Sequence, residues 1–270
     1  MQVPARFGHL APFDTELVRV GANHDGGYVV PRVSLASSHG LLSLGIASEW
    51  SFDSEFLKTR KGIRYVCCDR GSGFLVHSFA MLKSFKSRNS GSWRLGSLRT
   101  AIRFLALVPP LQFPRKRTFL RKWVKDEVKD PKRDVLIEEV LTLFSGLKEI
   151  FVKMDIEGGE YELLPKIASS ESKSPGTFTG VSVEFHDIKA REAEFLKTIE
   201  IMTKSFKIVH LHVNNCVPLT SDFPNVIEIT FAPCDIAGIT QVARVPRQGL
   251  DFPNDETLPD IELVFGLESL

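Results

Sequence analysis

From Ile150 onward the chain alternates short apolar runs, each closed by a polar or charged residue, with segments whose apolar residues recur at helical spacing. Ile150–Met154 is one such run and ends at Asp155. Gly158-Gly159 then marks a tight turn, and Tyr161, Leu164 and Ala168 follow on one helical face. Residues 181–185 form the next run and close on His186; Phe195, Ile199, Met202 and Phe206 repeat at helical intervals behind it. Residues 208–212 read as another strand, paired with 226–231 across a loop containing Asn214-Asn215. A short apolar run fits a strand buried on both faces, which a parallel sheet requires. Strands alternating with helices predict such a sheet with helices on both sides.

The upstream half reads the same way. Residues 40–46 are the first core strand and its turn, 52–58 a helix, and Arg64–Cys68 a second strand ending at Asp69. Leu136, Val140, Leu143 and Leu147 form a helical stripe with Asp134 as its expected N-cap. At 270 residues and 43% hydrophobic content, one α/β domain spanning 1–270 is expected. It would carry an N-terminal extension (1–39), a basic helical insertion (about 83–133) and an extended proline-rich tail (about 245–270), with an edge strand at 261–265. The four cysteines lack zinc-ligand spacing, and reduced, buried thiols are expected. The N-terminus has no charged segment leading into an apolar one, and no stretch is long and apolar enough to span a bilayer. A cytoplasmic location is the expectation.

In an open α/β sheet, ligands bind at the carboxyl ends of the strands, near the point where strand order reverses. That rule selects the turn Gly45-Ile46-Ala47-Ser48-Glu49, Asp69, Asp155-Ile156-Glu157, and residues 184–187. Asp69 stands 24 residues beyond Gly45. An acid at about that spacing holds ribose hydroxyls in nucleotide-binding sheets, and a glycine lets the backbone approach the ligand. The turn has a single glycine, which argues against a pyrophosphate cradle and for a nucleoside ligand without phosphates. Asp155 and Glu157 flank one apolar residue and can both face a cleft, although carboxylates there also suit the helix N-terminus. His186 closes its strand beside Glu184. His210 and His212 share one face of theirs, where packing competes with a role in a site.

The segment Lys153-Met154-Asp155-Ile156-Glu157-Gly158-Gly159-Glu160-Tyr161-Glu162 resembles the signature of FkbM-type S-adenosylmethionine-dependent methyltransferases. Weaker matches are Asp25-Gly26-Gly27-Tyr28, Ser43-Leu44-Gly45-Ile46, Ser51-Phe52-Asp53, Glu184-Phe185-His186, residues 210–215 and residues 228–231. Together they run from about Gly21 to Phe231, apart from the basic stretch. The resemblance implies a Rossmann-like class I fold, with a seven-stranded sheet whose last strand is antiparallel, and methylation of hydroxyl groups on sugars and other secondary metabolites. It implies S-adenosylmethionine held by Gly45, Ser48, Glu49, Asp69 and Asp155, with the acceptor near Asp25, Glu184, His212 and Asn214. Asp155, Glu157 and His186 are the candidates for the base that removes the hydroxyl proton. A divalent cation on Asp155, Glu157 or Glu184 could acidify the hydroxyl instead, though no ligand spacing demands one.

Residues 83–133 depart from that pattern. They hold 15 Lys and Arg against three acids, a net of +12 that leaves −11 for the rest of the chain. Leu98, Ala101, Ile102 and Leu105 form a stripe beside Arg99 and Arg103, and Phe119, Leu120, Trp123 and Val124 are interleaved with cations. A helical lid over the site is one reading. Contact with an anionic membrane, at its inner face, is another. No nucleic-acid motif accompanies the charge. A noncatalytic binding protein that kept the fold is the alternative to the enzyme. A nucleotide-sugar oxidoreductase ranks below both, because the dinucleotide loop is missing.

Overall fold

Side-chain alternation along each strand decides which layer it serves. On β3 (Gly40–Leu44), Leu42 and Leu44 face one core and Leu41 the other. On β8 (Ile150–Met154), Val152 and Met154 join the first core, while Phe151 packs against Phe52 and Phe56 of the second at 5.9 and 5.3 Å between ring centroids. Strands buried on both faces have no side turned to solvent, which explains their mostly apolar runs, while the polar exceptions Ser43, Lys153, Ser182 and Glu184 are themselves buried.

The computed structural model describes residues 1–47, 49–71, 116–174, 176–235 and 249–266. A hairpin comes first, β1 (Leu17–Val20) and β2 (Tyr28–Pro31), then α1 (Arg32–Ser37), β3 and α2 (Ser51–Thr59). β4 (Arg64–Cys68), β5 (Arg117–Leu120), β6 (Trp123–Lys125), β7 (Asp134–Leu136) and α3 (Ile137–Thr142) follow. After β8 come α4 (Glu160–Lys173), β9 (Phe178–Phe185), α5 (Glu192–Met202), β10 (Phe206–Val213) and β11 (Ile227–Pro233). The main sheet has seven strands in the order β10-β11-β9-β8-β3-β4-β5. Among the described residues its strands pair in parallel except where β11 lies antiparallel between β10 and β9. This is the seven-stranded class I arrangement expected from the sequence, and strand order reverses at β3.

The two faces differ. Phe185, Phe195, Leu163, Leu164 and Ile167 build the larger core under α4 and α5. Phe7, from the N-terminal segment, is stacked on Phe223 at 3.9 Å there. The β1–β2 hairpin and α2 cover the opposite face, where Thr230 Oγ1 donates to the Val29 carbonyl at 2.8 Å.

Several local expectations are corrected. Asp134 begins β7 and accepts the amides of Lys129 and Asp130 at 3.2 and 2.9 Å, so it caps a turn and not a helix. The helix behind it starts at Ile137, from an N-cap Leu136 without a side-chain bond. Residues 261–265 add no edge strand; Val264 forms an isolated bridge with Gln2. Cys67 and Cys68 are buried but Cys216 and Cys234 are exposed. The basic segment is not helical throughout. Its residues 117–120 supply the edge strand β5, bonded along β4 from Tyr65 to Cys68, because Phe119 and Leu120 have a core to join there. Residues 83–115, including the stripe from Leu98 to Leu105, lie outside the described residues. Among the described residues no helix is long and apolar enough to cross a membrane.

Candidate active site

Two crossover turns meet where the strand order reverses. After β3, Gly45 takes φ +73°, and a Cβ there would stand 1.6 Å from the Asp155 carbonyl oxygen. The missing side chain is thus required by the turn after β8, a tighter demand than ligand approach. Gly45 N donates to the Cys68 carbonyl at 3.0 Å, and Asp155 N to the Leu44 carbonyl at 2.9 Å. Asp69, closing β4, accepts the amides of Ile46 and Ala47 on Oδ2 at 2.9 and 2.6 Å, which fixes the Gly45–Ala47 loop. Lys153 is buried; its Nζ donates to the Gly45 carbonyl and lies 3.4 Å from Asp155 Oδ2. Burial opposes the Lys153 charge, but Asp155, Asp53 and Glu184 outweigh it and raise its pKa.

Around His186 the predicted residues converge. Its Nε2 lies 3.2 Å from Glu184 Oε1, 3.7 Å from Glu157 Oε2 and 3.9 Å from Asp155 Oδ1. Its Nδ1 is 2.7 Å from Glu160 Oε1, a carboxylate with no exposed surface, which also accepts the Gly158 amide. Burial pulls the imidazole pKa down, yet Glu160 and Glu184 outweigh it and hold it near 11. His186 therefore carries its proton at neutral pH. Glu184 is pushed up to about 7, chiefly by burial and further by Asp155 and Glu228, against the pull of His186. Glu157 sits in the left-handed region at φ +55° with its side chain 85% exposed. Asp155, Glu184 and His186 offer ligand atoms within 4.8 Å of one another, a set able to hold a metal ion.

Of the remaining predicted residues, one touches this cluster directly. Asn214 donates to Glu184 Oε1 at 3.2 Å. Asp25, in the hairpin loop, has a raised pKa, from burial first and then from Asp155, Glu228 and Glu49. Glu49 is exposed and accepts the Ser51 amide at 2.7 Å. Ser48 lies outside the described residues. His212 lies on the same face of the sheet as Glu184, with Glu228 between them in the register, and reaches the tail, 3.1 Å from Asp260 Oδ1 and 3.7 Å from Glu228 Oε2. Sequence reasoning assigned nothing to Glu160, Lys153, Glu228 or Asn254. The first two lie inside the quoted KMDIEGGE segment, and Glu228 sits directly across from Glu184 in the β9–β11 register. Asn254 donates to Glu228 Oε1 at 2.9 Å from a tail whose partners are remote in sequence.

That tail is a strap across β10. His210 Nε2 lies 2.7 Å from Asp251 Oδ1, and Asn215 Nδ2 donates to the Asp255, Leu258 and Pro259 carbonyls at 3.1–3.3 Å. Burial lowers the His212 pKa, but Asp260 and Glu228 prevail and raise it to about 10 from 6.5. A raised pKa stabilises the fold fully below about pH 6.5; the contribution declines above that and is gone past about pH 10. Thermal melts from pH 6 to 10.5 should show this loss, worth about 1.5–3 kcal/mol for a charged buried pair. His212→Gln should flatten that part of the profile. An unchanged profile in the variant would remove His212 as its source.

Likenesses to solved structures are distant. Methyltransferase FkbM from Methylobacillus flagellatus KT is 15% identical at a TM-score of 0.41, over 72% of this chain and 44% of that one. The chain thus spans less than half the length of that protein. Spermidine synthase from Thermotoga maritima is 12% identical at 0.38, covering 75% and 57%. An O-methyltransferase from Bacillus cereus, solved in complex with SAH, is 11% identical at 0.35, covering 74% and 76%. No protein-family model matches the chain, and no curated protein does. At such identities each likeness is one of fold alone, and the strand order described above is what places the chain in the class I methyltransferase fold.

Proposed function

We propose that the chain is an S-adenosylmethionine-dependent methyltransferase whose acceptor is a hydroxyl group of a sugar, glycan or sugar-containing metabolite. The observation that carries this reading is the meeting of Asp69, the Gly45 turn and the Asp155–His186 cluster at the carboxyl ends of adjacent strands, where strand order reverses. The residues present fit the cofactor. Asp69 is a strand-end carboxylate for ribose hydroxyls, and the single-glycine turn suits an adenosyl group without phosphates. Bound there, S-adenosylmethionine would supply an electrophilic methyl group on a sulfonium.

The chain's own contribution is positioning and proton handling. With the cofactor held there, bond formation from an acceptor oxygen to the methyl carbon would be balanced by cleavage of the carbon–sulfur bond, its electron pair staying on sulfur. The hydroxyl proton must leave to a base. His186 already holds a proton, which leaves Asp155 and Glu157 as acceptors; His186 positions Glu184 and the two acids around it. Asp155, Glu157, Glu160 and Glu184 surround His186, and this excess of carboxylates favours acceptors rich in hydrogen-bond donors.

Asp69→Ala tests the cofactor assignment by calorimetry with S-adenosylmethionine. The substitution should weaken binding by about 1–3 kcal/mol, the cost of leaving hydroxyl partners unpaired. Wild-type affinity in the folded variant would overturn the role of Asp69. The exposed Trp123, whose ring lies 5.0 Å from the Arg70 guanidinium among the cations of residues 116–133, supports a further part of this reading: that the basic segment meets an anionic surface.

A further inference from the structure

We propose that Asp155, Glu184 and His186 form a binding site for one divalent cation at the carboxyl ends of β8 and β9. Ligand atoms bound to a cation at about 2.0–2.2 Å stand about 3 Å apart when adjacent and about 4 Å apart when opposite. His186 Nε2 lies 3.2 Å from Glu184 Oε1 and 3.9 Å from Asp155 Oδ1, and all three ligand atoms lie within 4.8 Å of one another, so they can close on an ion that displaces the Nε2 proton of the free protein. The elements that carry them are firm. Asp155 and His186 immediately follow the parallel strands β8 and β9, and Glu184 is the penultimate residue of β9.

The strongest support lies on the far side of the imidazole. A metal-bound histidine characteristically donates its other ring N–H to a carboxylate, which fixes the ring and raises its basicity. Glu160 occupies that place, 2.7 Å from Nδ1 and with no exposed surface. Its second oxygen, Oε2, is buried and has no hydrogen-bond partner. A buried carboxylate is costly unless paired, and the imidazole N–H is the side-chain partner Glu160 has, so the ring is held with Nε2 toward Glu184 and Asp155. Glu184, also buried, faces Glu228 across the sheet, which adds to the negative surplus. The Asp155 side chain is 34% exposed, so one side of the cluster opens to the cleft and leaves coordination positions for an acceptor oxygen.

Two carboxylates suit a hard cation such as Mn²⁺ and the imidazole a borderline one such as Zn²⁺; Mn²⁺ serves as the paramagnetic probe. Its chemical role rests on the methyl-transfer reading: an ion here would acidify the acceptor hydroxyl, and Glu157 would take the proton. Ion binding itself does not depend on that reading.

Electron paramagnetic resonance titration of the full chain with Mn²⁺ should show one bound ion, with a Kd below about 1 mM, the weak end for carboxylate sites. Glu184→Gln and His186→Asn should each weaken binding at least tenfold, and Glu160→Gln, which touches no ion, by about 10- to 100-fold. Glu138→Gln, on a surface ion pair with Lys166, should leave it unchanged. Selective broadening of the His186 ring resonances by Mn²⁺ in the unaltered protein provides the same answer if a variant fails to fold. No bound Mn²⁺ at 1 mM, or broadening elsewhere, would overturn the site. Calorimetry with S-adenosylmethionine on the same sample separates the claims. Cofactor bound without Mn²⁺ defeats the cation site alone, and Mn²⁺ bound without cofactor upholds it while defeating methyl transfer.

Discussion

Gly45→Ala should destabilise the protein by more than about 3 kcal/mol, near the upper end of single-residue effects. Two costs add. An alanine at φ +73° sits in the left-handed region, which costs about 1–2 kcal/mol for an L side chain. The new Cβ would also meet the Asp155 carbonyl oxygen at 1.6 Å, a backbone atom that cannot rotate away. Relief would require parting the turns after β3 and β8, breaking the bonds from Gly45 N to Cys68 and from Asp155 N to Leu44. Urea denaturation measures the effect. A loss under about 1 kcal/mol would mean that the turns separate easily, and the site geometry built on their contact would be unsound.

Glu157→Gln should lower turnover by about 100-fold or more, the usual contribution of a positioned base, while S-adenosylmethionine affinity changes only a few-fold. The expectation follows from the protonated state of His186 and from the open position of Glu157, 3.7 Å from Nε2. Its left-handed backbone is compatible with a residue held for use at some conformational cost. Transfer of labelled methyl groups to a panel of sugars and glycosides gives the rate. If Glu157→Gln keeps full turnover while Asp155→Asn abolishes it, the proton acceptor is Asp155.

Much of the sheet was legible because its strands are buried on both faces and so write short, mostly apolar runs between helical stripes. Residues 150–154, 181–185 and 64–68 needed no tertiary information. β5 was not legible in the same way: Arg117, Phe119 and Leu120 sit inside a cationic stretch, where the charge obscured a four-residue edge strand. Asp134 failed for a related reason, since an acid before an apolar stripe can cap a turn as well as a helix, and here the turn at 129–130 takes it.

The site divides along similar lines. Asp155, Glu157, Glu184 and His186 lie at strand ends, where a topological rule finds them. Glu160 lay beyond that rule, since its position in the first turn of α4 looks like ordinary complement to the helix dipole. Its bond to His186 spans 26 residues and has no local signature. The strap behaves likewise: His210 to Asp251 spans 41 residues, and nothing in either neighbourhood announces the partner.

The structure of the chain crystallised with S-adenosylhomocysteine tests the central claim most directly. The account predicts an adenosyl group across the carboxyl ends of β3 and β4, its ribose hydroxyls on Asp69, and its sulfur directed toward Asp155 and Glu157. A ligand bound elsewhere, or a cleft that excludes it at saturating concentration, would contradict the methyltransferase reading.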